Sequence, residues 1–181
     1  MMAQRFPDAQ IDAVEQDETS AEQAKKNFSK SPFQSRIKLI NQRIQDFKST
    51  NNYDCIVCNP PYFTETVLGN DGRRMNARHC SALPFNELFA CINSIITQNG
   101  TFSVILPASQ LAAIITEAFH FQFSLIKRTN ISSFKGRQPK RCLLCFARTS
   151  AEIHIENVYL NQSDGKRSEW YKSLTEDFYI K

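Results

Sequence analysis

The chain has 181 residues, with 22 Lys and Arg against 18 Asp and Glu and a formal net charge of +4. This length fits one domain with a substantial core, and the mildly basic balance allows a nucleic-acid partner without establishing one. No apolar stretch reaches membrane-spanning length and no signal peptide opens the chain, so we predict a cytoplasmic protein with no membrane partner.

The first fifty residues alternate between apolar runs and a helical segment. Runs 10–15 and 37–40 predict strands, and the apolar spacing within 21–28 predicts a helix between them. Thr19 followed by Glu22 predicts a capping box at the start of that helix.

Glu15 ends the first predicted strand. A carboxylate at the end of a strand in a nucleotide-binding unit can accept hydrogen bonds from ribose hydroxyls, so Glu15 is a candidate cofactor ligand. Asp17 is expected instead to cap the helix that follows, or to lie next to the cap.

The most informative motif is Asn59-Pro60-Pro61-Tyr62, directly after the apolar run 53–58. The prolines must end the strand and turn the chain outward at its carboxyl end, where open α/β sheets bind ligands. The side-chain oxygen of Asn59 and the carbonyl of Pro60 can accept the hydrogens of an exocyclic amine and draw its nitrogen towards a pyramidal, more nucleophilic state. Tyr62 offers a flat face for the ring, a contact worth about 1–3 kcal/mol per base. We interpret the motif as a catalytic centre rather than a turn that merely ends a strand.

The remaining segments predict an α/β sheet that finishes in a hairpin. After a polar stretch, 64–81, an amphipathic helix begins at Phe85 and ends at Asn99-Gly100. A strand over 101–106, a helix to about His120 and two paired strands, 123–129 and 141–147, follow. Strands that alternate with helices favour a mostly parallel sheet, here with an antiparallel hairpin. Residues 151–181 add a strand and a helix capped by Ser168.

Six cysteines include two pairs with the spacing of a zinc knuckle, Cys55/Cys58 and Cys142/Cys145. Both pairs lie in predicted strands, where residues three apart point to opposite faces and do not converge on one ion. We therefore expect reduced, buried core cysteines and no metal.

Positive charge is concentrated in the predicted hairpin. Between Phe123 and Thr149 there are seven basic residues and no acidic one. We predict RNA contacts from Lys135, Arg137, Lys140 and Arg141. Arg73, Arg74 and Arg78, in the polar stretch after Tyr62, are predicted to form an opposite wall. The alternative is that the hairpin cations only discourage strand pairing at a sheet edge.

Four stretches carry a resemblance to a known family: 11–15, 59–62, 141–146 and the segment from Trp170 to Tyr179. The chain resembles the S-adenosylmethionine-dependent class I methyltransferases with an Asn-Pro-Pro-Tyr motif, most closely the bacterial tRNA1(Val) (adenine(37)-N6)-methyltransferases. The resemblance implies a Rossmann-like fold, S-adenosyl-L-methionine as cofactor and methylation of the N6 amine of adenine 37 in a tRNA. It also implies that Asp46 and Phe47 meet the adenine of the cofactor. Two alternatives stay open: a glutamine methyltransferase that acts on a protein, and a catalytically inactive fragment that binds RNA.

The family pattern also includes an opening strand and a glycine-rich turn. The first glycine here is Gly69, and no G-x-G occurs anywhere. We therefore expect a single methyltransferase domain over 1–181 that is incomplete at its N-terminus. The absent strand is expected between the strands 10–15 and 53–58.

Overall fold

The computed structural model describes residues 1–50, 52–60 and 83–178. The chain divides into two compact units, Met1–Ser49 and Thr50–Lys181.

The first unit is built on two parallel strands. Its elements are α1 (Met2–Arg5), β1 (Ile11–Glu15), α2 (Glu18–Ser29) and β2 (Ile37–Asn41), with 3-10 turns at Gln34–Arg36 and Ile44–Asp46. Ile11 pairs with Ile37 and Glu15 with Asn41, so the carboxyl ends of both strands lie at one edge. The predicted strands and helix of this region are confirmed.

Arg36 holds the segment that leads into β1. Its guanidinium donates to the carbonyl oxygens of Ala3 at 2.7 Å and of Phe6 and Ala9 at 3.0 Å each. It also stacks over the Phe33 ring, 5.5 Å from the centroid. One side chain thereby binds three backbone carbonyls of the segment before β1, of which that of Phe6 also accepts from the N–H of Ala9 at 3.2 Å.

The start of α2 differs from the capping box predicted at Thr19. Asp17 is the N-cap, and its Oδ1 accepts from the backbone N–H of Ser20 at 2.7 Å. Hydrogen bonds from Ser20 also lower the pKa of Asp17 below its ordinary value. Asp17 prevails because a carboxylate directly before the first turn satisfies a helical N–H and carries the favourable charge for that end.

The second unit is a five-stranded mixed sheet with helices. Its elements are β3 (Tyr53–Cys58), α3 (Phe85–Ile95), β4 (Ile96–Pro107), α4 (Leu111–His120), β5 (Ser124–Phe134), β6 (Arg141–Ala147), β7 (His154–Asn161) and α5 (Glu169–Thr175). The strand order is β3-β4-β6-β5-β7. The β3–β4 and β5–β7 pairs are parallel, and β6 is antiparallel to both of its neighbours. The predicted α/β fold with an antiparallel hairpin is confirmed, but β7 pairs beyond β5, so the hairpin is not at the sheet edge.

Aromatic side chains form the core between the sheet and α3. Phe89 on α3 meets Phe102 on β4 and Phe146 on β6, each with a centroid distance of 5.6 Å and an edge-on geometry. All three side chains are completely buried. Such edge-to-face pairs add to the stabilisation from burial, so this cluster fixes α3 against one face of the sheet.

The junction between α3 and β4 differs from the predicted helix end at Asn99-Gly100. The helix ends at Ile95, and β4 begins with Ile96. The β-branched run Ile95-Ile96-Thr97 favours extended backbone, which explains the earlier end. Gly100 has a different role: a Cβ there would lie 2.6 Å from Cγ1 of Ile96 and 2.9 Å from the Tyr53 carbonyl.

The cysteines are only in part the buried core residues that were predicted. Cys142 is buried, but Cys55 is exposed. Cys55 and Cys58 lie on opposite faces of β3, and only Cys58 shares the face of the buried Val104 on β4. Within the described ranges, no three His, Cys, Asp or Glu side chains form a group that could hold a metal ion. In the same ranges, no helix has the length and apolar character needed to cross a bilayer.

Candidate active site

The start of the Asn-Pro-Pro-Tyr motif lies at the carboxyl end of β3. Cys58 pairs with Val104 on β4, and Asn59 and Pro60 follow directly. Asn59 is exposed, whereas Pro60 is buried. A buried proline with fixed φ gives its own carbonyl and the preceding amide a rigid base.

Burial also acts on the thiol next to the motif. It raises the pKa of Cys58 to about 11, so this side chain is a neutral thiol beside Asn59.

The basic hairpin turn, 135–140, lies beyond the carboxyl-terminal end of β4, as Asn59 lies beyond that of β3. Pro107 at the end of β4 pairs with Arg141, and Arg141 also pairs with Ile131 on β5. The backbone N–H of Ala108 donates to the carbonyl of Lys140 at 3.1 Å, which joins the turn to the end of β4. Since β6 is two strands from β3, about 10 Å separate Asn59 from the base of the turn.

The hairpin cations face solvent. Lys135, Arg137 and Lys140 are exposed, and no ion pair is formed by any of the three within the described part of the chain. Arg141 is exposed as well. Because β5 and β6 are both interior strands, the alternative that these cations protect a sheet edge is wrong.

Several predicted site residues lie outside the described residues. These are Pro61 and Tyr62 of the motif and Arg73, Arg74 and Arg78 of the polar stretch.

Glu15 is held at the carboxyl end of β1 in the first unit. Its Oε1 accepts from the backbone N–H of Asp17 at 2.9 Å, and its backbone carbonyl accepts from Nδ2 of Asn41 at 2.8 Å. In the described residues its Oε2 has no hydrogen-bond partner. A carboxylate that is oriented through one oxygen and open at the other fits the pair of hydroxyls of a ribose.

Asp46 and Phe47 follow the neighbouring strand. Asp46 ends the 3-10 turn after β2 and is exposed, and Phe47 is half-buried. The ends of β1 and β2 are paired through Glu15 and Asn41, so the predicted cofactor residues belong to adjacent strand ends. The structure thus groups Asn59 and Pro60 with the hairpin turn in one unit, and Glu15 with Asp46 and Phe47 in the other.

Sequence reasoning missed Asn41, which fixes Glu15. The available signal was an amide directly after the apolar run 37–40, at a strand end parallel to that of Glu15. It also missed the polar residues that face one another across the paired strands β5 and β7.

Comparison with known proteins identifies the family. The family model described as methyltransferase small domain matches residues 1–75. A protein of Bacteroides thetaiotaomicron named tRNA1(Val) (adenine(37)-N6)-methyltransferase is 33% identical over 181 residues, which cover 99% of this chain and 76% of the relative. Relatives of the same name in Phocaeicola vulgatus and Klebsiella pneumoniae (strain 342) are 37% and 36% identical, with 99% of this chain and 76% and 75% of each relative covered. The chain belongs to the tRNA1(Val) (adenine(37)-N6)-methyltransferase family.

Solved structures support the fold of this family member. A predicted O-methyltransferase from Agrobacterium tumefaciens has a TM-score of 0.72 at 16% identity, with 96% of this chain and 80% of the other covered. The glycopeptide N-methyltransferase MtfA, crystallised with S-adenosyl-L-methionine, has a TM-score of 0.54 at 12% identity, with 78% and 73% covered. At these identities the likeness shows a class I methyltransferase fold.

Proposed function

We propose that this chain transfers a methyl group from S-adenosyl-L-methionine to the exocyclic N6 amine of an adenine in tRNA, the reaction that its relatives' names give for adenine 37 of tRNA1(Val). One observation supports the proposal beyond family membership: the exposed amide of Asn59 lies at the same end of the sheet as the turn 135–140, whose cations form no ion pair within the described ranges. The amide can accept a hydrogen bond from an amine while the cations bind the phosphates of the same nucleic acid. A tRNA substrate also fits a cytoplasmic protein.

Asn59 and Pro60 would act on the amine. The Oδ1 of Asn59 and the carbonyl of Pro60 accept its two hydrogens, which draws the nitrogen lone pair out of the ring. The nitrogen would then gain the methyl group as the bond from that group to the sulfonium sulfur breaks, which leaves S-adenosyl-L-homocysteine, and it would lose one proton to water. Buried Pro60 keeps both acceptors in place, because a preorganised acceptor has no reorganisation cost during the reaction. Pro61 continues the rigid turn, and Tyr62 stacks on the adenine.

The cofactor would be held by the first unit. When bound, S-adenosyl-L-methionine supplies an electrophilic methyl group on a sulfonium. Glu15 accepts from the ribose hydroxyls, and Asp46 and Phe47 hold the cofactor's adenine. The open Oε2 of Glu15 supports this role.

The hairpin turn would follow the RNA backbone. Lys135, Arg137, Lys140 and Arg141 supply the positive charge, with Arg73, Arg74 and Arg78 as a second set of contacts. An adenine in a single-stranded loop suits this arrangement, because such a base is extruded and stacked at little cost.

Replacement of the amine-holding amide tests the proposal. Asn59→Ala should lower methyl transfer from labelled S-adenosyl-L-methionine to a tRNA1(Val) transcript by about 100-fold or more, the usual effect of deleting one positioned hydrogen-bonding group. The affinity for RNA should stay within about twofold. Asn52→Ala, an exposed asparagine before β3, is the matched control.

The same assay separates the alternatives. Transfer to a release factor but not to tRNA would identify a glutamine methyltransferase. Absence of cofactor binding in calorimetry, with RNA binding retained, would identify an inactive RNA-binding fragment. Full turnover by Asn59→Ala would show that the amine is held elsewhere.

A further inference from the structure

A concave pocket lies beside the hairpin, on β5 and β7. The pocket has a volume of about 380 Å³, within the range of small-molecule sites. Its walls come from two strand surfaces and from the turn that folds beside them: Asn130, Ser132, Asn157, Tyr159, Lys135 and Arg137.

The strand wall is a fixed array of polar side chains. In the parallel register Asn130 pairs with Asn157, and Ser132 with Tyr159, so all four share one face of the sheet. Asn130 is buried, donates from Nδ2 to Oδ1 of Asn157 at 2.8 Å and accepts from Nε of Arg128 at 2.7 Å.

This network orients Asn157 towards a ligand. Its oxygen is engaged by Asn130, while its Nδ2 has no partner in the part of the chain that the structure describes. Asn157 is exposed and lines the pocket. The result is a preorganised amide donor that can read an acceptor on a base edge.

The charge around the pocket favours an anion. Lys135 and Arg137 stand on one wall, and none of the lining residues is acidic. Glu156, the neighbour of Asn157, points to the other face of β7, where it accepts from Thr129 at 3.2 Å and pairs with Lys127 at 3.8 Å. A ligand with a phosphate and a hydrogen-bonding ring fits this combination.

We propose that this pocket binds a nucleotide of the RNA that flanks the methylated adenine. Asn157 donates to its base edge, Tyr159 supplies apolar surface to the ring, and Lys135 and Arg137 hold its phosphate. The inference rests on the proposed function. Since β5 is three strands from β3, the pocket lies about 15 Å from Asn59, too far to hold the target base itself.

The test uses substitutions that preserve the internal network. Asn157→Asp keeps the acceptor for Asn130 but removes the free donor and adds a negative charge. Asn99→Asp makes the same change on an exposed residue at the other end of β4 and is the matched control. Tyr159→Phe removes only a hydroxyl. Binding of the full chain to a tRNA1(Val) transcript is measured by fluorescence anisotropy without cofactor, with a set of RNAs that are abasic at one position each.

We expect Asn157→Asp to weaken binding about tenfold and Asn99→Asp to have little effect. The loss should be smaller against RNA that is abasic at one particular flanking position than against all the other RNAs, because the base contact is then already missing and only the repulsion from the added charge remains. A loss of the same size against every RNA, intact or abasic, or an equal loss in Asn99→Asp, would overturn the assignment. Inorganic phosphate and adenosine monophosphate are also added as competitors of RNA binding. If inorganic phosphate displaces the RNA as well as adenosine monophosphate does, the proposed contact with a base is wrong.

Methyl transfer is followed separately on the same RNA. A wild-type chain that shows the position-dependent binding but transfers no methyl group would contradict the proposed function and support the pocket. A wild-type chain that transfers the methyl group normally but shows no position-dependent binding would support the proposed function and contradict the pocket.

Discussion

Two cysteines of the same strand, β3, differ in burial and therefore in the reactivity of their thiols. Cys55 is exposed, and burial raises the pKa of the Cys58 thiol from 9.0 to about 11. Because the thiolate is the reactive form, the half-buried Cys58 should react slowly until the pH approaches its raised pKa.

We therefore predict that iodoacetamide modifies Cys55 first near neutral pH, and that the reaction of Cys58 accelerates only as the pH rises from about 9 to about 11. Mass spectrometry of digested protein after timed alkylation measures both sites. Cys55→Ser isolates the Cys58 signal. Equal rates at neutral pH would contradict the burial of Cys58.

The exposed cations of the turn should act through counterion release. Arg137→Ala should reduce the slope of log affinity for RNA against log salt by about 0.7, the value for one phosphate contact on a single strand. Lys172→Ala is the control, because that ammonium is already paired with Glu169 at 2.7 Å. An unchanged slope for Arg137→Ala would exclude a phosphate contact.

Residue identity alone predicted where Asn59 lies in the fold, but not the contacts that hold the other candidate site residues. The place of Asn59 at a strand end follows from two prolines after an apolar run, and the structure has it there. The sequence offered both Asp17 and Thr19 as caps of α2, because both side chains satisfy the N-cap pattern, and only the backbone shows that Asp17 is the cap. The contact of Asn41 with Glu15 depends on the pairing of two strands that are distant in sequence.

At the scale of elements, the β3–β4 pair depends on a close approach at Gly100. The register shifts between Tyr53 and Cys55, and a Cβ at Gly100 would lie 2.6 Å from Cγ1 of Ile96 and 2.9 Å from both Oγ1 of Thr97 and the Tyr53 carbonyl. Two side-chain atoms of β4 and one backbone carbonyl of β3 thus occupy the space that a side chain at position 100 would need.

Gly100→Ala should lower the free energy of unfolding by about 1–3 kcal/mol, since the side chains of Ile96 and Thr97 and the Tyr53 carbonyl must all shift to admit the methyl group. Urea denaturation followed by circular dichroism measures it. Asn99→Ala, at the exposed neighbour, should change the value by less than about 0.5 kcal/mol. Equal stability of the two variants would show that β4 accommodates the added carbon.

The sequence predicted the existence of the elements better than their partners. Periodicity located α3 and the hairpin strands, whose local patterns are strong. The parallel pairing of β7 with β5, and the pocket that results, could not be predicted, because no local pattern encodes which strand lies beside which.

At the scale of the whole molecule, buried apolar side chains are distributed unequally. Of the buried hydrophobic residues, only Ala3 and Ala21 belong to the unit Met1–Ser49, while the large ones lie between Leu83 and Val158. Small side chains contribute little burial energy, so the first unit has the weaker core.

Hydrogen exchange should therefore distinguish the units. We predict that amides of β1 and β2 exchange with a lower free energy of opening than those of β4 and β6, because protection follows the local density of buried contacts. Mass spectrometry of one native sample reports all four strands, so each serves as the control for the others. Equal protection throughout would indicate a single cooperative unit.

The interior position of β5 and β6 has an evolutionary consequence. Each of these strands is hydrogen-bonded to a neighbour on both sides, so the positions of the two ends of the turn are fixed by the sheet and not by the sequence of the turn. The turn could therefore be replaced by one of different composition without rebuilding the sheet. If the turn contacts RNA as proposed, a chimera that carries the turn of another member should take on that donor's preference for nucleotides, while Asn59 stays at the end of β3.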